Sequence, residues 1–246
     1  MAGGAMPELV LFTKTGGPLT KRLYLAPDGR LEKDGSACVM TRGMAERVRV
    51  TGVDAFGALI GSLHPSQAIA LGALRDGLPD KVEITTEKLL NGVARPDLIT
   101  RTSANIVYGG PAYGLLDFDS KGMPASVTAE LERLGGFWTA LLTVLPPLSD
   151  VARVTRRSTS AGLSRADTGE ALPGSDGVHV YVEEKDGADS ERFLKTLHDR
   201  CWLAGLGWMM VSASGSLLER SIIDRMVGGS ERLVFEGGPV LVQPLQ

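Results

Sequence analysis

Asp117 and Asp119 stand two residues apart at the end of the apolar run Tyr113-Gly-Leu-Leu-Asp117-Phe-Asp119. In an extended strand, residues i and i+2 share a face, so both carboxylates emerge together while Phe118 points the other way. Such a pair repels and is costly to desolvate. A hard divalent cation relieves both penalties by taking carboxylate oxygens as ligands while keeping waters for a phosphate. The same spacing also fits a strand end whose acids face water or cap the following loop, Ser120-Lys-Gly-Met-Pro124. His179 lies in Val178-His-Val-Tyr-Val182, where alternation sets His179, Tyr181 and Glu183 on one face and gives the valines to the core. Taken alone it reads as an ordinary hydrogen-bonded strand histidine. Just before it, Gly174-Ser175-Asp176-Gly177 forms a small turn whose N–H groups and Ser175 hydroxyl could approach a phosphate beside the imidazole. A further apolar-flanked acid, Asp224, sits in Ser221-Ile-Ile-Asp224-Arg-Met-Val227, where Leu218, Ile222 and Met226 would equally fit one face of a helix.

The elements that must position these groups are of both kinds. Leu9–Phe12, Leu23–Leu25 and Val48–Val50 predict short strands. From Val53 to Leu74 the spacing of Phe56, Leu59, Ile60, Leu63, Ile69 and Leu71 predicts two helices separated at His64-Pro65. A short helix is expected over Thr86–Gly92 in an otherwise polar stretch, and Gly109-Gly110-Pro111 marks a turn before the Tyr113–Asp119 strand. After Pro124, Val127, Leu131 and Leu134 predict a helix that Gly135-Gly136 ends, with a second helix from Phe137 to Pro146. Val151–Ser160 and Gly177–Glu183 predict two strands pairing as a long-looped hairpin. Asp189 or Ser190 then caps a helix with Phe193, Leu194, Leu197 and Cys201 on its apolar face, and Trp208–Val211 returns to strand. Glu231–Val240 reads as a strand and turn with Arg232 at its entrance. Strands and helices mixed in this way argue for an α+β architecture and against a regular doubly wound parallel sheet.

Composition narrows the classes. The chain has 246 residues, 43% hydrophobic and 22% charged, with a net charge of −3, a soluble balance that fits one large domain or two intimate units. Cys38 and Cys201 lie far apart in the chain, so neither a zinc ribbon nor a disulfide framework is expected. The start carries no basic region or long apolar stretch of an export signal, and Phe137–Leu148 is too short and too interrupted for a membrane span; a cytoplasmic protein is expected. Val151–Arg165 contains Arg153, Arg156, Arg157 and Arg165 and no acid, a density that could meet phosphates or simply guard a strand edge.

In order along the chain, Leu115-Leu-Asp117-Phe-Asp119, Gly174-Ser-Asp-Gly-Val-His179-Val-Tyr-Val182 and Ile222-Ile-Asp224 resemble the motifs of the archaeo-eukaryotic primase superfamily: a paired acid, a Ser/Gly turn with His, and a lone acid. Leu63-His-Pro-Ser-Gln-Ala-Ile69, Arg157-Ser-Thr-Ser-Ala-Gly162 and Arg232-Leu-Val-Phe-Glu-Gly-Gly-Pro239 look like its mobile-element and phage-associated branch. The resemblance implies a single primase-polymerase catalytic domain over 1–246, with an N-terminal unit to about residue 104 packed on an RRM-like unit from 105 onward and the site in the cleft between them. It implies that Asp117, Asp119 and Asp224 bind two Mg²⁺ or Mn²⁺ ions, that His179 and Ser175 hold nucleotide phosphates, and that Arg157, Arg225 and Arg232 contact triphosphate or template. The implied partners are single-stranded DNA, nucleoside triphosphates and a helicase domain of the same parent chain or complex; no P-loop motif lies within these residues. Asp176 stands where relatives often carry a basic residue, which would weaken phosphate affinity at that turn.

Two rival functions fit parts of the pattern. Leu115-Leu-Asp117-Phe-Asp119 also resembles the nucleophile strand of haloacid-dehalogenase-like phosphatases, but Ser120-Lys-Gly follows where that family has Thr or Val, and the motif lies far from the start. A non-catalytic RRM-like nucleic-acid-binding module would need stacking aromatics, for which only Tyr181 is suitably placed in a chain with 5% aromatic residues.

Overall fold

The computed structural model describes residues 6–90, 95–172, 177–212 and 214–246. The described N-terminal half contributes β1 (Glu8–Lys14), β2 (Arg22–Leu25), β3 (Leu31–Asp34), β4 (Arg42–Arg49), α1 (Gly52–Gly61), β5 (Gln67–Ala70), β6 (Ala73–Leu74), β7 (Lys81–Thr85), α2 (Glu87–Leu90), β8 (Leu98–Thr100) and β9 (Ile106–Val107). The remainder contributes β10 (Ala112–Phe118), α3 (Ala125–Arg133), α4 (Phe137–Val144), β11 (Arg153–Arg157), β12 (Val178–Glu184), α5 (Ser190–Leu203), β13 (Gly207–Val211), β14 (Leu217–Ser221) and β15 (Val240–Leu241). The fold is α+β, as the mixed pattern predicts. No described helix is long and apolar enough to cross a membrane.

Two sheets dominate. The first, in the order β5-β1-β4-β7-β8, is antiparallel except for the β7–β8 pair. Its buried face gathers Val10, Phe12, Ala45, Ala68, Ala70, Val82 and Ile84. The second, β10-β12-β11, is antiparallel throughout and makes the long-looped hairpin expected between β11 and β12. Around it the chain runs strand, helices, strand, strand, helix, hairpin, and Asp224 N–H donates to the Asp117 carbonyl at 3.0 Å, so the segment after β14 lies against β10.

Both faces of the second sheet are covered. On one, the Phe56 ring of α1 stacks on Tyr113 at 4.1 Å and meets Tyr181 edge-on at 4.9 Å. On the other, Phe118 stacks on Phe137 of α4, and the Arg153 guanidinium sits 4.3 Å over the Trp138 ring. The helices follow their apolar spacing: Val127 and Leu131 of α3, and Leu194, Leu197 and Cys201 of α5, are buried. Gly135 takes a φ of +83° to stop α3, a conformation an L side chain resists, and the Gly136 N–H returns to the Leu131 carbonyl at 2.9 Å.

Two expectations change; one is the Glu231–Val240 strand, which is reduced to the single Val234 bridge to Ile69 before β15 begins at Val240. The second helix predicted before Leu74 is absent; Gln67–Ala70 is β5, an edge strand on β1 whose Ala68, Ile69 and Ala70 are all buried. A short apolar run buried on both sides has no amphipathic face to show, so its spacing mimics a helix. The open reading of the Asp224 segment resolves against a helix face: Leu217–Ser221 is β14, and Arg225–Val227 forms only a short 3-10 turn.

Glu184, at the end of β12, folds its carboxyl over Gly114, where a Cβ would come within 1.9 Å of Oε1, and Ser190 donates to its other oxygen. Burial pushes its carboxyl up to about 7 from the ordinary 4.5. Between those values the folded chain binds a proton that the unfolded chain lacks, so this group's contribution is full below 4.5 and is lost as pH rises through about 7. Glu184→Gln is expected to stabilise the chain at pH 8 relative to wild type, on the order of 1–3 kcal/mol, with little difference at pH 4. Urea unfolding at both pH values checks it.

Candidate active site

The register of the second sheet assembles one row across three strands. Asp117 on β10 pairs with His179 on β12, and His179 pairs on its other side with Arg156 on β11. Directly opposed residues share a face, so these three side chains stand together. The face they share is the one α1 covers farther along, and the row lies just beyond that cover at the strand ends. His179 Nε2 lies 3.5 Å from Asp117 Oδ1, and its Nδ1 lies 2.5 Å from Glu236 Oε1.

Glu236 is the buried member. Its side chain is 0% exposed, and Oε1 also accepts from the Tyr181 hydroxyl at 2.5 Å while Arg156 Nε approaches Oε2 at 3.4 Å. A carboxylate inside a protein is tolerated only with such donors around it. The segment that delivers it is clamped from the N-terminal half. Val234 and Ile69 exchange backbone hydrogen bonds at 2.8 and 3.1 Å, and Thr20 Oγ1 donates to the Gly237 carbonyl at 3.2 Å. A Cβ at Gly237 would lie 2.3 Å from the His64 carbonyl oxygen, so only glycine permits this approach.

The acids meet on the other side of the row. A cleft of 70 Å³ is lined by Asp117, Asp119, Lys121, Trp208, Arg220, Ser221, Ile223 and Asp224. Burial raises the Asp117 carboxyl above its ordinary value; His179 opposes this, and the neighbouring charges of Asp224 and Asp119 add to it. Burial works against a charge on His179, but the hydrogen bond and charge of Glu236, with Asp117 behind them, outweigh it and raise the imidazole. The Tyr181 phenol is pushed well up by burial and by Glu236. Lys21 acts electrostatically on both Asp117 and His179, and Lys33, held down mainly by burial and by Lys21, feels Asp119. Larger cavities of 370 and 560 Å³ lie elsewhere, but neither is lined by these acids.

Of the residues singled out in the sequence, Asp117, Asp119, Asp224 and His179 come together. Arg157 is exposed at the end of β11 and is paired with Val178, so its face is opposite to that of Arg156. Arg225 ion-pairs with Glu219 at 3.0 Å. Arg232 is exposed and lines a separate cavity with Arg101, Cys38 and Phe235. Ser175, with Asp176, lies outside the described residues. The sequence offered Arg156 only as one member of the arginine-rich stretch, and it did not single out Glu236, for which an acid directly after Leu233-Val-Phe235 and before Gly237-Gly238 was the available signal.

The donor chemistry of the cleft suits a hard cation, since three aspartates converge where one of them is already disfavoured as a charge. Among the described residues no three His, Cys, Asp or Glu side chains are drawn up as a ready ligand set. Asp119 Oδ1 accepts the Lys121 N–H at 3.0 Å and Asp224 Oδ1 accepts the Met226 N–H at 2.8 Å, so both carboxylates also cap turns. The buried Trp208 indole N–H, which has no hydrogen-bond partner, also borders the cleft.

No protein-family model, curated protein or solved structure matches the chain.

If the acids share one cleft, removing a charge must be felt by its neighbour. In a carboxyl-detected NMR titration of the full chain, Asp117 is expected to titrate above the ordinary 3.8 and to move down in Asp224→Asn. An Asp117 titration indifferent to that substitution contradicts the shared cleft.

Proposed function

We propose that this cleft performs template-dependent nucleotidyl transfer, making the chain the catalytic unit of a DNA primase or primase-polymerase that builds primers on single-stranded DNA from nucleoside triphosphates. The observation that carries the reading is the 3.0 Å hydrogen bond from the Asp224 N–H to the Asp117 carbonyl, which sets a distant acid beside the paired acids and across from His179. The order β10, α3 and α4, β11, β12, α5, then the β13–β14 hairpin also supports an RRM-like unit, since it is the split βαβ order with a hairpin as its last strand.

In this reading Asp117, Asp119 and Asp224 would hold two Mg²⁺ or Mn²⁺ ions, with the carboxylates of Asp119 and Asp224 leaving their turn-capping positions. When bound, such ions activate an attacking hydroxyl and neutralise the charge that develops on the phosphoryl oxygens and the leaving group. The chain's own residues bind and orient. His179 presents Nε2 to a phosphate oxygen beside Asp117, and Lys21 and Lys33 supply positive charge to the same region. Ser175 is assigned to the triphosphate. Arg157, exposed on the arginine-rich strand, is assigned to the phosphate backbone of the template, which makes affinity salt-sensitive. Arg225 and Arg232 are secondary contacts.

An open nucleic-acid-binding sheet is not favoured. Tyr181, the aromatic residue it would need, is buried beneath Phe56 and bonded to Glu236.

Incubating the full chain with labelled nucleotides, a single-stranded template and Mg²⁺ or Mn²⁺ is expected to yield template-dependent products. Release of phosphate alone would instead indicate a phosphatase, and retention of template without product a binding module. Asp117→Ala with Asp119→Ala is expected to lower incorporation by about 10³-fold or more, the scale for removing preorganised electrostatic stabilisation. Circular dichroism and thermal melting of the double variant should stay close to wild type, because the change also removes carboxylate repulsion. Undiminished incorporation by a folded double variant removes the metal site.

A further inference from the structure

We propose that Glu236 is the positioning residue of this site: its buried carboxylate accepts from His179 Nδ1 and so fixes the imidazole with Nε2 turned toward Asp117. The bond is 2.5 Å, and Nε2 then stands 3.5 Å from Asp117 Oδ1. An imidazole on a strand has a freely chosen ring rotation unless one nitrogen is held, and a carboxylate behind the ring is the arrangement that holds histidines in polar sites. Here the carboxylate is itself fixed by the Tyr181 hydroxyl and by Arg156, both from the sheet that carries His179. Its backbone is fixed from the other half of the chain, by the Ile69–Val234 bridge and by the tight approach of Gly237 to His64.

The arrangement gives the N-terminal half a role in the chemistry. That half contributes none of the cleft-lining acids, yet it seats the segment that orients the histidine beside them. It also explains why a fully buried carboxylate is present at all. A residue kept only for stability would serve better as an apolar side chain of similar size, because desolvating a carboxylate is costly even when it is paired.

The kinetic consequence rests on the nucleotidyl-transfer reading; the orientation of the ring does not. The test is long-range ¹H–¹⁵N NMR of the histidines in the full chain, with His179 assigned through a His179→Gln variant. His198 serves as an internal control, since its ring is held separately by Ser221 at 2.9 Å and Trp202 at 3.1 Å. In wild type, His179 is expected to show a protected, strongly downfield Nδ1–H. Glu236→Ala is expected to abolish that signal and leave those of His198 in place. Glu236→Gln, which keeps an acceptor oxygen without the charge, is expected to retain it at an upfield position.

In primer synthesis, Glu236→Ala is expected to lose about 10- to 100-fold in kcat/KM, the usual effect of removing the partner that orients a functional histidine, and Glu236→Gln to recover most of it. A folded Glu236→Ala chain with an unchanged His179 signal overturns the proposal, as does loss of the signal with unchanged kcat/KM. If the alanine variant does not fold, Glu236→Gln decides, and a His179 Nδ1–H that does not move in it overturns the proposal. A wild-type chain that makes no product removes the nucleotidyl-transfer reading, and the NMR comparison then decides the positioning role alone.

Discussion

The pairing register of β10 against β12 is the constraint on which the site depends. It sets Asp117 opposite His179, and the neighbouring β11 register adds Arg156 to the same row. A slip of one residue would turn every side chain of a strand to the other face, sending the site row toward α4 and the apolar Leu116, Phe118 and Val180 toward α1. Both faces are packed with large groups, Phe56 on Tyr113 and Tyr181 on one side and Phe137 on Phe118 on the other. A slipped sheet would therefore bury charge and expose aromatic surface at once. Core packing of this kind holds the geometry of polar groups that would not choose it themselves.

Those polar groups are held against their own preferences. Asp117 is raised by burial and by the acids beside it, while Glu236 is buried completely behind His179. The two problems are solved from opposite sides. Glu236 Oε1 is bonded by the imidazole and a phenol, and hydrogen bonds to a charged group are worth about 1.5–3 kcal/mol each when buried, while Oε2 has no hydrogen bond and only the Arg156 guanidinium as an ion-pair partner at 3.4 Å. Asp117 has no comparable set of donors and faces a cleft where Lys21, Lys121 and Arg220 are the nearby cations. The row thus runs from a buried anion bonded through one oxygen, through an oriented imidazole, to a half-buried acid.

Much of this was legible in the sequence. The apolar run ending at Asp119, the alternation around His179, and the helix spacings of Val127–Leu134 and Phe193–Cys201 all fall on elements of the expected kind, because each has a period that only one element satisfies. The segment 67–71 was misjudged because a strand buried on both faces has no period to show. Asp224 was ambiguous because it follows Ile222 and Ile223, which are both buried as the chain leaves β14, so local pattern could not separate a strand end from a helix face. Glu236, and the place of Arg156 in the row, were missed for a different reason. Their significance lies in which strand pairs with which, and at what register, and that is decided by packing over long sequence separations. Arg157 stood out in the sequence, but strand alternation assigns the row beside His179 to the residue before it.

The covering of both faces also determines where a ligand can act. With Tyr181 and Val180 buried on opposite sides of β12, the sheet has no open platform for bases to stack on, so recognition through its surface is closed off. What stays accessible is the end of the sheet, where β10 runs out at Phe118 into Asp119, β12 begins at Val178 and β11 ends at Arg157. There the acids, the imidazole and the lysines converge from separate parts of the chain. A site built at strand ends gains rigidity from the sheet while its loops are free to shape themselves to a substrate. Opposite charges side by side at such an end suit a ligand that is itself mixed, an anionic phosphate chain carried with divalent cations, better than either a bare cation or a bare polyanion. That match of charge pattern to ligand, more than the volume of any cavity, is what supports the proposed nucleotidyl transfer.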